Sequence, residues 1–575
     1  MRSRVVGVWF CMGGVFVGGC SSAPPPTGLF ADTVYVNGTI VTMNRAAPTA
    51  QAVAVRGDEI VGVGTNQDVR ALAGPRTVVV DLTGKTMTPG FYAAHDHFPG
   101  SGDVAVRMVD LNSPPIGRVT QMSEIVSLLK ERAAKTPKGE WIIGRGYDDT
   151  LIKEMRHPTR LDLDQASTDH PIYISHISGH LGVANSYALE IADVTKSTKN
   201  PEGGVIRRDA KGDPDGVFEE VGAVVMRHIT PATDEQALEA IKWAVRDYTE
   251  KGVTTASVTS GTRQSLRDLQ AAERAGVLGI RVNTYPVKDV PGELSPPEAG
   301  GVVTGFGSKK IKIQGIKIVQ DGSIQGYTGY LTKPYHVPFK GDASYRGYPR
   351  RSREALTAMV KEAHRAGYQI AIHGNGDAAI DDILYAYGAA LQELPRPDHR
   401  HRIEHSQMAR NDQLDRMKEL GITPSFFVGH VYYWGDRHRD IFQGPERGSR
   451  ISPLASALAR AVTFTIHDDT PVTPVKPLQL VWDAVNRLTT SGQVLGPDER
   501  IGVEQALRAI TIDAAWQNFE EKTKGSIEAG KLADLVVLAE NPMTVESTHI
   551  RDIAVLETIV GGASVYKRET ATATH

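Results

Sequence analysis

The feature that most constrains this chain is the alternation, from residue 253 to residue 469, of short β-branched runs with stretches of helical spacing. "VTTASV" (253–258), "IRVNTY" (280–285), "IKIQGIKIVQDG" (311–322), "YQIAIH" (368–373), "HRIEH" (401–405), "ITPSFFV" (422–428) and "VTFTIHDD" (462–469) read as strands. Helices are expected from Asp377 to Leu391, over "NDQLDRMKELG" and over "PLASALARA". In "SREALTAMVKEAHRAG" the apolar positions Leu356, Met359, Val360 and Ala363 fall on one face, with Ser352 as N-cap and Gly367 just past the end. "FYAAHDH" upstream brings the strand count to eight. Repeated βα units imply parallel strands, and eight of them predict a closed (β/α)8 TIM barrel, although an open doubly wound sheet meets the same count.

The flanks follow a different idiom. Residues 29–88 carry short runs such as "DTVYVNGTIVTM" and "AVAVRGDEIVGVG", broken by Asn-Gly and Gly-Asp turns, and residues 523–570 return to it with "GSIEAGKLADLVVL" and "VLETIVGGASVYK". The two ends are therefore expected to form one composite β-sandwich beside a barrel over 89–522. The segment from about 105 to 250, with "WIIGRGYDD" and "PIYISHISGHLGVANSYAL", is too long for one βα unit and reads as an insertion after strand 1.

At the N-terminus Arg2 and Arg4 precede an apolar stretch from Val5 to Val17 and the small residues "VGGC". That pattern fits an export signal over 1–20 with a bacterial lipobox, giving a protein lipid-anchored to the cell envelope through Cys20. Residues 21–28 would be a tether. Cys11 would leave with the signal, so any metal ligands must be His, carboxylate or modified Lys. A net charge of −3 without long basic runs offers no footprint for nucleic acid, so the expected partner is a small molecule. A homodimer is left open.

Chemistry concentrates at the predicted strand ends. "PGFYAAHDHFPG" (89–100) sets His95 and His97 on one face of a strand with Asp96 opposite, strand 5 ends in His373, strand 6 in His405 and strand 8 in Asp469. Each alone could be a buried histidine or a helix cap; together they would gather at one mouth of a barrel. Four imidazoles and one carboxylate leave two divalent cations short of negative charge. Lys317 on strand 4, neutral when buried, could capture CO₂ as a bridging carbamate.

"PGFYAAHDHF", "IKIVQDGSIQGYTGYL", "AIHGNGDAAI", "RIEHSQ" and "IHDDTPVTPVKPLQLVWDAVNR", in this order, resemble the YtcJ-like (amidohydrolase 3) branch of the amidohydrolase superfamily over about residues 30–570. The resemblance implies metal ligands His95, His97, carbamylated Lys317, His373, His405 and Asp469, holding one or two divalent ions, most simply Zn²⁺. Asp469, chosen over Asp468, would shuttle the proton, and His180 would hold the carbonyl oxygen or the leaving group. Ala94 stands where the family usually has Asp. Tyr147, Arg145, His467 and Asp321 are further candidates for contacting substrate. The expected activity is hydrolysis of an N-acyl or N-formyl small molecule by metal-activated water. An esterase, lactonase or carbamate hydrolase is the alternative enzyme, and a non-catalytic lipid-tethered regulatory or binding protein the alternative class.

Overall fold

The computed structural model describes residues 30–287 and 304–569. The export segment, Cys20 and the tether lie outside the described residues. Eight parallel strands form the barrel: β1 (Phe91–Tyr92), β2 (Val253–Gly261), β3 (Arg281–Pro286), β4 (Ile311–Ile313, resuming as Gly315–Val319), β5 (Gln369–Gly374), β6 (Arg402–His405), β7 (Thr423–Phe426) and β8 (Thr465–Ile466). They pair in two parallel arcs, β1 to the first half of β4 and the second half of β4 to β8. A parallel bridge from Val287 to Lys317 joins the arcs on one side. On the other side the His97 N–H donates to Thr470 O at 2.8 Å, past the ends of β8 and β1. This closes the ring and disposes of the open-sheet alternative.

Side-chain alternation sorts the strands into an outer apolar and an inner polar face. Ile316, Ile318, Ile370, Ile372 and Ile403 pack in the apolar layer under the helices. Each such burial is worth about 1.5–3 kcal/mol. Ser352 caps the helix Arg353–Arg365 through the Ala355 N–H at 3.2 Å, and Leu356, Val360 and Ala363 are buried on its inner face. Met359 is only partly buried at the margin of that face.

The inner positions form a hydrogen-bonded plug instead of the usual aliphatic layers. Gln369 donates to Gln517 O at 2.7 Å, Tyr285 donates to Asn518 Oδ1 at 2.7 Å, and Arg402 donates to Tyr285 Oη at 2.8 Å. Polar stuffing of this kind fixes side-chain positions beneath the mouth, because every member needs its partner.

The chain ends build two sheets beside the barrel. One runs Glu59–Gly64, Ala52–Arg56, Ala31–Val36, Ala73–Asp81. The other joins Leu535–Leu538 from the C-terminal end antiparallel to Thr86–Pro89 from the N-terminal end. The Gly90 N–H then donates to Asp534 O at 2.8 Å, one residue before β1 begins. The insertion is a mixed six-stranded sheet from Val109–Asp110 to Val205–Arg208, and its loops overhang the C-terminal mouth of the barrel.

Candidate metal centre

The strand expected to carry "HDH" stops at Tyr92, so His95 and His97 sit on the irregular segment beyond it. The alternation survives nonetheless. Asp96 points away, fully buried, accepting from Tyr248 Oη at 2.9 Å and from the Thr470 N–H at 2.8 Å. Held by that pivot, both flanking imidazoles reach Asp469 Oδ1, His95 Nε2 at 3.5 Å and His97 Nε2 at 3.2 Å. Ligand-type atoms of His95, His405 and Asp469 lie within 4.8 Å of one another. Lys317 Nζ is 3.2 Å from His95 Nε2, and the His373 and His405 rings are 4.4 Å apart. All six predicted ligand residues thus meet at one mouth; five of them line a cavity of about 460 Å³, and His95 lies fully buried behind them.

Two of them depend on unusual backbone. On β6 Glu404 points inward, so the next residue would face out; His405 at φ +68° and Ser406 at φ +45° turn the chain so that the imidazole also enters the barrel. Asp469 has φ +58°. Left-handed conformations at non-glycine residues carry strain of about 1–3 kcal/mol each and cluster at functional sites.

Hydrogen bonds select the nitrogens that face the centre. His95 Nδ1 is paired with the buried carboxylate of Glu404, itself held by Arg402 at 2.7 Å, which leaves Nε2 as the lone-pair nitrogen. His373 Nε2 lies 3.2 Å from Gly322 O and donates there, leaving Nδ1. His405 Nδ1 lies 3.1 Å from His467 Nε2, and His467 Nδ1 lies 2.8 Å from Ser425 Oγ, an arrangement that frees His405 Nε2. Anchoring the distal nitrogen is how proteins orient imidazole ligands.

Burial, followed by positive neighbours, holds His95, His373 and His405 well below the usual histidine range, so each stays neutral with a lone pair to give. Burial alone would raise the Asp469 carboxyl, but the hydrogen-bonded His97 imidazole outweighs it and holds the group well below the carboxylate range. Asp469 Oδ1 is sealed from solvent and faces the His97 and His95 imidazoles. Neutral imidazoles and an ionised carboxylate whose buried oxygen is turned toward them are the donor set of a divalent cation site.

These shifts predict acid sensitivity. The unfolded chain titrates its histidines near pH 6.5, whereas the folded site resists protonation. Stability from each is therefore complete above about pH 6.5 and lost below it, at up to about 1.4 kcal/mol per pH unit. The urea midpoint of metal-free protein is expected to fall between about pH 7.5 and about pH 5.5; a flat or rising midpoint contradicts the assignment.

The remaining sequence candidates divide. His180 lines the cavity, its Nδ1 2.9 Å from Glu220 Oε2 and its ring 4.7 Å from that of His373. Arg145 also lines it. The other three do not belong to the substrate surface. His467 is fully buried beneath His405 with both nitrogens engaged, so it supports a ligand residue. Asp321 accepts backbone N–H groups from Asn375, Gly376 and Tyr330 at 2.8–3.0 Å, which spends both oxygens on bracing the loops after β4 and β5. Tyr147 is turned into the insertion core, 3.2 Å from His157, because a bulge between Arg145 and Tyr147, with Gly146 at φ +101°, breaks the strand alternation. Sequence reasoning missed Arg402, Glu404, Glu220 and Arg350, the last donating to Glu220 Oε2 at 3.0 Å. Only the position of Glu404, inside "HRIEH" next to a candidate ligand, offered a signal.

A family model described as "Amidohydrolase family" matches residues 78–566. The chain is 30% identical to the N-substituted formamide deformylase of Arthrobacter pascens, over 93% of this chain and 98% of the relative. It is also 30% identical to the protein LONG AFTER FAR-RED 3 of Arabidopsis thaliana, over 95% of this chain and 93% of the relative. A crystal structure of an uncharacterized metal-dependent hydrolase from Pyrococcus horikoshii superposes with TM-score 0.70 at 26% identity, covering 90% of this chain and 99% of that one.

Proposed function

Since the chain belongs to the amidohydrolase family of metal-dependent hydrolases, we propose that it cleaves the C–N bond of a small-molecule amide, an N-acyl or N-formyl compound, with water as the nucleophile. The observation that carries this reading is the convergence of three neutral imidazoles, Lys317 and the ionised Asp469 at and just beneath the floor of one cavity. Similarity to a formamide deformylase supports the choice of an amide.

His95, His97, His373, His405 and Asp469 would hold one or two divalent cations, zinc first among them, with Lys317, carbamylated, supplying a further anionic ligand. A bound cation of this kind acidifies water and polarises a carbonyl oxygen. Asp469, ionised and held beside His95 and His97, takes the proton from the attacking water and returns it to the departing nitrogen. Water and the amide are thereby converted to a carboxylic acid and an amine. His180, oriented by Glu220, faces the cavity from the insertion side and steadies the carbonyl oxygen as charge develops on it.

The test is elemental analysis of purified protein with amide and ester isosteres assayed in parallel. One to two equivalents of metal, faster turnover of the amide, loss of turnover on chelation and recovery on adding metal back are expected. Hydrolysis that persists in metal-free protein sinks the proposal.

A further inference from the structure

Two guanidinium groups enter the cavity, and they differ in one respect. Arg350 is matched by Glu220 at 3.0 Å. Arg145 has no ion pair and no side-chain hydrogen bond among the described residues, and its Nε, like that of Arg350, is sealed from solvent and unsatisfied. Asp469 is the one carboxylate that favours its charge, from beyond ion-pair range, and burial still pulls Arg145 down to about 10. A guanidinium is charged at any physiological pH, and removing it from water without an anion is costly. The local backbone keeps the space beside it open. A Cβ at Gly179 would lie 3.7 and 3.8 Å from the two terminal nitrogens, and Gly179 adopts φ +76°, a conformation that disfavours any side chain there. His180 follows directly, so this cationic corner adjoins the place where the scissile carbonyl would sit.

The geometry points to Arg145 as the anchor of a substrate carboxylate, which makes the substrate an N-acyl or N-formyl amino acid. This rests on the amide-hydrolysis reading above and narrows it. A carboxylate matches the planar fork of a guanidinium with two parallel hydrogen bonds, here to the two terminal nitrogens beside Gly179. Val104, Met108, Met226 and Val472 line the same cavity and suit an apolar side chain on the amino acid.

Two measurements on the metal-loaded full chain separate the anchor from the chemistry. The first is calorimetric binding of a pair that cannot be hydrolysed, 3-phenylpropanoate and 3-phenylpropanol. The wild type is expected to bind the acid roughly 10- to 100-fold more tightly. Arg145→Gln should bring the two together, and Arg145→Lys should lie between, with metal content and melting temperature unchanged. Equal binding by the wild type overturns the anchor. So does a preference that persists in Arg145→Gln, since the metal centre would then be the receptor. The second is turnover of both enantiomers of N-formylphenylalanine against N-formylphenethylamine. A wild-type kcat/KM preference for the acid that collapses in Arg145→Gln supports the assignment; equal losses on both substrates contradict it. If neither compound is turned over while the binding difference stands, the anchor survives and the hydrolysis reading falls.

Discussion

Asp469→Asn is expected to lower kcat/KM by about 10³-fold or more, whereas Asp468→Asn leaves it within a few-fold. Asparagine keeps the shape and an acceptor oxygen but can neither take a proton from water nor offer an anionic ligand. Its neighbour is different. Asp468 is buried, accepts the Lys476 N–H at 3.0 Å, and burial raises its carboxyl well above the ordinary range. Near neutral pH it is largely protonated, and an amide is then close to isosteric. The two aspartates are adjacent in sequence, so the pair of variants also tests which of them faces the cations. Metal content measured on both separates lost ligation from lost proton transfer. Equal damage from the two substitutions would refute the assignment of Asp469.

Removing the carboxylate beneath the site should show in stability as much as in activity. Arg402 and Glu404 are both fully buried, and the pair is closed by Arg402 donating to Ala94 O at 3.0 Å and by Glu404 holding His95 Nδ1. Glu404→Ala leaves a guanidinium without its anion in the barrel interior, which costs about 3–5 kcal/mol. His95 also loses the acceptor that fixes its orientation, so metal affinity should fall about 10- to 100-fold. Glu404→Gln, which keeps an acceptor, should lose less of both. The double variant Arg402→Met/Glu404→Met removes the unpaired charge and should regain much of the stability without regaining the metal. Urea unfolding and metal titration read the two effects independently. An unchanged midpoint for Glu404→Ala would mean that the pair contributes nothing to the fold.

Legibility in the sequence tracked how local each cause is. The strand ends carrying His373 and His405 could be read because apolar runs and their last residues are contiguous; Asp469, expected at the end of strand 8, lies three residues past it in left-handed backbone. The composite sandwich was readable because both flanks share one idiom of short β-branched runs. What was hidden is non-local or rests on backbone irregularity. Nothing in "HLGVANS" announces that Glu220, forty positions on from His180, will orient it. The bulge at Gly146 turns Tyr147 away from the cavity while Arg145 stays in it, although the two stand two residues apart in one strand. His467 shares the inward face with Asp469, yet depth decides its role: one step below the rim it touches His405 in place of substrate. Ala94, in the place of the family's usual Asp, contributes its carbonyl to Arg402, a contact that any residue could make.

The sheet that splices Thr86–Pro89 to Leu535–Leu538 sets synthesis order against assembly order. The peptide leading to His95 and His97 is translated before the rest of the barrel, but its neighbouring strand only after it. Prematurely terminated chains would carry nearly every chemical group of the centre and lack the splint that aligns the first two. Alignment of the first two candidate ligands thus draws on a strand from the far side of the barrel's sequence, although neither strand of that sheet takes part in the proposed reaction.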